Sequence, residues 1–369
     1  MAVSVTASPA GRRASRSHLL FLVLSGLLWG TGGLTGTEFG HLTGLSPLAV
    51  AACRLLAGGG LIVVVRAVAL PAGRPAGGRW PAGRAAWTRI AATGLLAAAF
   101  QGCYFSAVSL TSVSLATLVT ISGSPVIVQV AERIRGRGDR GTAGTTVLAL
   151  CGLGLLVGLP SGGFGYSAVL ASAGLAALAA AGFATMTLLG ASPVPGLDDL
   201  TVTGFGFALG GLVLVPFATL TGLAFRPAPA AIGLLIALAT GPTAVAYTLY
   251  FRGLRGAPPG TAALLALLEP LTATMLAALL LGERLSVPGL AGAALLLAAV
   301  LRTALRKQSP TGLRADRAVE VGGVPAAFRD LLHGLPGLRR VDDVAAADVD
   351  GDMALAGVEQ QVTRLERGG

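Results

Sequence analysis

The 369-residue chain is 53% hydrophobic and only 12% charged, with a net charge of +10. An ordinary soluble domain carries roughly 25% charged residues, so this inventory excludes a water-facing globule. The positive balance does not indicate a nucleic-acid partner, because the arginines sit in short breaks between apolar runs and form no basic face with interleaved aromatics.

A bilayer core of about 30 Å needs about 20 mainly apolar residues at 1.5 Å rise each. Arg12, Arg13 and Arg16 precede the first apolar run, which continues past Trp29 and Gly33 without a small-residue cleavage site, so it is predicted to be an uncleaved first helix. Ten spans are predicted: 19–39, 47–65, 90–107, 114–131, 142–159, 167–189, 201–221, 232–250, 259–281 and 287–305. Most are rich in Gly, Ala, Ser and Thr, which lets helices approach closely where lipid supplies no hydrophobic drive to pack. Cys53, Cys103 and Cys151 lie inside apolar stretches without metal-ligand spacing, so they read as small apolar fillers, not as a disulfide framework.

The arginines set the orientation. With the N-terminus inside, the inner loops collect Arg66, Arg74, Arg79, Arg84 and Arg89, then Arg133, Arg135, Arg137 and Arg140, then Arg252 and Arg255, then Arg302, Arg306 and Lys307. The outer side receives only Arg226 and Arg284, which predicts a cell-membrane (inner or plasma membrane) protein with both termini cytoplasmic. Ten of the seventeen acidic residues lie beyond position 308, in a mixed-charge stretch with no span of its own. That stretch reads as a disordered cytoplasmic tail.

The two halves resemble each other. A shift of 145 positions lays Pro125 on Pro270, Thr120 on Leu265 and Gly144 on Gly289; a shift of 152 lays Gly30 on Gly182, Gly58 on Gly210 and Gly59 on Gly211. Five spans per repeat is an odd number, so the second repeat must enter the membrane from the opposite side, an inverted-topology arrangement with its site near the midplane. The predicted organisation is a cytoplasmic segment 1–18, a first five-helix repeat 19–159, a linker 160–166, a second repeat 167–305 and the tail 306–369.

Glu269 is the one acidic residue near the middle of a predicted span. A lone carboxylate there is costly, so it should be paired, face a wet cavity, or be protonated. Pro270 follows it, lacks an N–H and frees the carbonyl of Ala266, which predicts a kink beside a titratable group. Arg54 lies seven residues into the second span, roughly 10 Å deep, and can bind an anionic group, pair with Glu269 or Glu38, or snorkel outward. In the first repeat Pro125 supplies a second predicted kink, and Ser124 stands where Glu269 stands in the second. Trp29, Gln101, Tyr104, Ser122, Gln129, Tyr247 and Tyr250 are further pathway candidates, against interfacial anchoring or helix packing as the plain alternative.

Catalytic constellations are missing. His18, His41 and His333 lie near span ends or in the tail, and no HExxH or Walker-type element occurs, so neither an enzyme nor a cofactor nor a metal is implied.

The stretch LLEPLTATMLAALLLGERLSVPGLAGAALLLAAVL, with LLWGTGG around Trp29 and SPLAVAACRLLAGG around Arg54, resembles the EamA-like members of the drug/metabolite transporter superfamily. The resemblance covers both repeats. It implies an all-α polytopic membrane protein, ten helices in a 5+5 inverted repeat, and export or exchange of metabolites or drugs without ATP hydrolysis. The first repeat departs from the pattern: Arg137, Gly138 and Asp139 stand for Gly282, Glu283 and Arg284, the last two of which are expected to cap an external turn. The sequence therefore predicts a secondary carrier of a small molecule in the lipid bilayer, working by alternating access, with Glu269 a candidate for proton coupling. The competing class is a membrane-embedded sensor that signals through its tail.

Overall fold

The computed structural model describes residues 16–69, 81, 83–136, 140–158, 163–280, 282 and 286–305. Expectations for Arg12, Arg13, Arg74, Arg79, Arg137, Asp139, Glu283, Arg284 and the tail lie outside the described residues.

Among the described residues the regular elements are helices: α1 (Arg16–Thr43), α2 (Pro47–Ala69), α3 (Arg84–Leu110), α4 (Val113–Ile134), α5 (Arg140–Val157), α6 (Tyr166–Gly190), α7 (Asp199–Thr219), α8 (Pro229–Ala239), α9 (Ala246–Leu254), α10 (Pro259–Leu265), α11 (Leu268–Leu280) and α12 (Val287–Leu305). A π turn, Thr240–Val245, joins α8 to α9. Nine spans in this set are long and apolar enough to cross a membrane, and Gly141–Val157 is a shorter tenth apolar helix. Polar residues mark several helix starts. The Ser46 hydroxyl accepts from Ala49 N–H at 3.2 Å, Ser112 from Leu115 at 3.2 Å, and Asp198 from Thr201 at 2.8 Å. Gly44, at φ +72°, ends α1 in the left-handed conformation that a side chain resists.

Two five-helix halves are legible in the packing. α2 lies along α7 and α5 along α12; α3 packs on α6 and α7 while α8 and α9 pack on α1 and α8 on α2; α4 packs on α6 while α11 packs on α1. Exchanging the halves, with α8–α9 taken as the eighth span and α10–α11 as the ninth, returns the same set of pairs.

Glycines carry these contacts. A Cβ added at Gly59 would meet the Ala208 backbone nitrogen, and Gly204 O at 2.7 Å; one at Gly211 would meet Leu56 N at 2.7 Å. Gly58 and Gly210 also occupy matching seats, the first 2.6 Å from the Thr243 side chain on the eighth span and the second 2.8 Å from Gly94 O on the third. The alignment of Gly58 and Gly59 with Gly210 and Gly211 thus has a physical cause: both pairs bring the backbones of the two halves together. Across α5 and α12, Gly152 and Gly292 do the same, each Cβ position lying within 3 Å of the other's carbonyl oxygen, at 2.9 and 2.6 Å.

Among the described residues two spans depart from plain helices, both in the second half. The stretch 232–250, predicted as one continuous helix, is interrupted by the π turn because Pro242 lies inside it. The ninth span breaks between Leu265 and Leu268. By contrast α4 runs without interruption through Pro125, so the kink predicted there is not seen as a break in the helix. Cys53, Cys103 and Cys151 are free thiols.

Gly59 and Gly60 test the packing account, since a Cβ at Gly60 meets nothing within 4 Å. Gly59→Val is expected to lower stability by about 1–3 kcal/mol, the usual cost of overpacking, and Gly60→Val to be tolerated; thermal melting of the two purified variants checks this.

Candidate functional site

The site begins with a repaired proline. Pro270 has no N–H to offer the carbonyl four residues back, and an orphaned carbonyl in hydrocarbon costs several kcal/mol. The chain answers by tightening one turn: Glu269 N–H donates to Ala266 O at 3.0 Å and Leu267 N–H to Leu264 O at 3.1 Å. The tightened turn divides the span into α10 and α11 and sets the Glu269 side chain at the junction. α1 comes close on the other side, where a Cβ at Gly30 would lie 2.9 Å from Glu269 O.

Glu269 lines a cavity of about 30 Å³. Its other walls are Phe100 of α3, Thr120, Ile121 and Ser124 of α4, Phe183 of α6, and Ala263 and Ala266 at the break. Both halves contribute. In this state the space is about that of one water, while apolar walls with a few polar groups are the usual composition of a small-molecule pocket.

Arg54 of α2 lies within electrostatic reach of Glu269, and both act on Tyr104 and Tyr247. Among the described residues, ion pairs join Arg66 to Asp198 and Arg255 to Asp199. A cation and an anion in one low-dielectric region offset each other's cost even without contact. Among the described residues Arg54 Nε, Trp29 Nε1 and Ser124 Oγ are buried without a hydrogen-bond partner. Buried polar atoms are nearly always paired, and of these three Ser124 Oγ belongs to a residue that lines the cavity with Glu269.

An aromatic box backs the cavity. The Trp29 ring lies 4.8 Å from Tyr247, 5.0 Å from Tyr250 and 5.7 Å from Phe183, and Phe100 lies 5.4 Å from Phe183. Phe207 meets Tyr247 edge-on at 4.5 Å, and edge-to-face packing of this kind is favourable for aromatic quadrupoles. Thr187 donates to Phe183 O at 2.9 Å, so the Tyr250 hydroxyl donates to Thr187 across 2.8 Å. Gln101 hydrogen-bonds Tyr247, and Tyr104 bonds Thr117 at 2.7 Å, tying α3 to α4.

Ties between the halves differ at the two ends of the bundle. At the arginine-rich end Arg66 pairs with Asp198 at 2.6 Å, Arg89 donates to Ser192 O at 3.0 Å and to Leu189 O, and Glu132 accepts from Gly260 N–H at 3.0 Å. At the other end the ties are hydroxyl pairs, Ser46 with Thr221 and Thr111 with Ser172, both at 2.7 Å. α10 is the half of the ninth span that packs closely on α4, whereas α11 turns to α1.

The sequence model of the EamA-like transporter family matches residues 16–159 and 170–305, most of the chain and both halves. The chain belongs to the EamA-like transporter family. It is 28% identical over 245 residues to an uncharacterized transporter of Bacillus subtilis, YwfM, a match covering 65% of this chain and 77% of that protein. A solved crystal structure of a protein shares the fold with a TM-score of 0.65 and 21% identity, over 78% of this chain and 96% of that one.

Within this EamA-like frame the structure brings Glu269, Ser124, Arg54, Trp29, Gln101, Tyr104 and Tyr247 to one region, with Pro125 and Pro270 beside the two cavity residues. Gln129 is not part of it: its side chain bonds Thr146 of α5, and Ser122 does not line the cavity. Phe100, Phe183, Thr120 and Ile121 are lining residues that sequence reasoning did not single out. A phenylalanine in an apolar span looks the same whether it faces lipid or cavity, but Thr120 and Ser124, one turn apart in an apolar helix, mark a shared polar face.

The Tyr250–Thr187 bond gives a direct check. Thr187→Val leaves a buried phenol unpaired, expected to cost about 1–3 kcal/mol, and adding Tyr250→Phe should recover most of it. Melting curves of the single and double variants measure both.

Proposed function

We propose that this EamA-like transporter is a secondary carrier, not an enzyme, that exports or exchanges a small metabolite or drug by alternating access in the cell membrane. The observation that carries this reading is the cavity between the two halves, with a carboxylate at a helix break on one wall and the unpaired Ser124 hydroxyl on another. A site at the repeat interface beside a discontinuous helix is the general design of such carriers. The halves correspond to 19–159 and 167–305, joined by 160–166, and insert in opposite orientations. The segment 1–18 and the tail 306–369 are cytoplasmic, in line with the arginine-rich end lying inside.

The distribution of ties supports a mechanism. Three charge-assisted links join the halves at the arginine-rich end, and charged hydrogen bonds are roughly twice as strong as neutral ones. The described state is accordingly closed toward the cytoplasm. Opening that side requires Glu132 to release the Gly260 N–H and Arg66 to part from Asp198, while the hydroxyl pairs at the far end, already made, hold. Glu269 couples this motion to a proton, since a carboxylate in a site that alternates between dry and wet surroundings gains and loses its charge readily.

Counterflow in proteoliposomes with a panel of amino acids, nucleosides and drugs identifies the substrate. With it, Glu269→Gln is expected to abolish acceleration by an imposed pH gradient; uptake and pH response equal to the parent would remove Glu269 from coupling. For the closed end, Ser124→Cys in a background lacking the three native cysteines reports access. Adding Glu132→Ala should raise its labelling by an impermeant thiol reagent from the cytoplasmic side several-fold.

A further inference from the structure

Pro242 sits inside the eighth span and removes the N–H that would pair with Leu238 O. The hydroxyl of Thr243 fills that role, donating to Leu238 O at 2.8 Å across five residues, and Thr243 is fully buried. The backbone widens into the π turn Thr240–Val245. One additional residue in a helix of 3.6 residues per turn rotates everything beyond it by about 100°.

The turn is held on two sides by glycines. A Cβ at Gly32 of α1 would lie 2.9 Å from the Pro242 ring, and one at Gly58 of α2 would lie 2.6 Å from the Thr243 side chain and 3.0 Å from Ala239 O. Directly beyond it come Tyr247 and Tyr250, the two rings that enclose Trp29. The third span has no such device: α3 is continuous, and Gly94 stands against Gly210 where Thr243 stands against Gly58. The π turn is therefore an addition to the second half and not a requirement of the repeat.

We propose that Pro242 and Thr243 are positioning residues whose π turn sets the register that brings Tyr247 and Tyr250 against Trp29 and so builds the aromatic wall behind the cavity. Pro242 prevents the regular helix, and the Thr243 hydroxyl makes the alternative affordable by pairing the carbonyl that proline orphans. Gly32 and Gly58 provide the room. This assignment concerns the shape of the wall and stands whether or not the chain is a carrier.

Trp29 reports on it. In a Trp80→Phe, Trp87→Phe background the emission of purified protein in detergent comes from Trp29 alone. Pro242→Ala restores an N–H for Leu238 O, permitting the regular helix. It is expected to keep or raise the melting temperature while shifting Trp29 emission to the red and increasing quenching by acrylamide, as the tyrosine rings turn away. Thr243→Val should shift emission the same way and lower the melting temperature, with Thr243→Ser restoring the parent spectrum. Parent-like emission and quenching in Pro242→Ala would overturn the assignment, and this variant decides the matter even if Thr243→Val fails to fold. A spectral shift in a protein that transports nothing would leave the assignment intact and remove the carrier reading instead.

Discussion

Inside hydrocarbon a backbone carbonyl has no water to turn to, and a proline in a spanning helix deprives one carbonyl of its partner. Two of the breaks around this site are local answers to that constraint. At Pro270 the answer comes from the backbone, with Glu269 N–H reaching Ala266 O; at Pro242 it comes from a side chain, with the Thr243 hydroxyl reaching Leu238 O. One solution tightens the helix and the other widens it. Between them they place the carboxylate at a junction and direct two tyrosines toward Trp29, so the chemistry of the site follows from how unpaired carbonyls are repaired.

The frame that holds these breaks is made of small residues. Lipid is as apolar as leucine, so helices in it gain by close packing and not by burial. Gly59, Gly204 and Gly211 let α2 and α7 touch backbone to backbone, and Gly152 and Gly292 do so for α5 and α12. These pairs lie away from the cavity and join each helix to its own counterpart. The site lies instead among α3, α4, α6 and the ninth span, where Phe100, Ile121 and Phe183 line the cavity.

Much of the architecture was legible in the sequence because membrane spans are written in long apolar runs and repeats in recurring glycines. The alignment of Gly58 and Gly59 with Gly210 and Gly211 anticipated contacts that the structure shows to be equivalent. Glu269 with Pro270 stood out because an acid beside a helix breaker has few reasons to occur at mid-depth. The rest was hidden for physical reasons. Phe100 and Phe183 carry no mark that separates cavity from lipid, and Gln129, polar and well placed by spacing, spends its hydrogen bond on Thr146. Pro242 and Pro125 look alike in sequence, yet one widens the helix into a π turn and the other sits in a continuous one. The difference includes the neighbour that supplies a hydroxyl and the glycines that leave space.

Symmetry in packing and asymmetry in detail divide the labour between the halves. α3 and α4 are continuous helices, whereas their counterparts each carry a joint, and the acid belongs to one of those joints. A chain assembled from two copies of the first half would keep glycine-lined seams of the same kind, yet it would present serine where the carboxylate stands and would have neither interruption. The halves are thus alike as masonry and unlike in their joints, which among the described residues fall on the second.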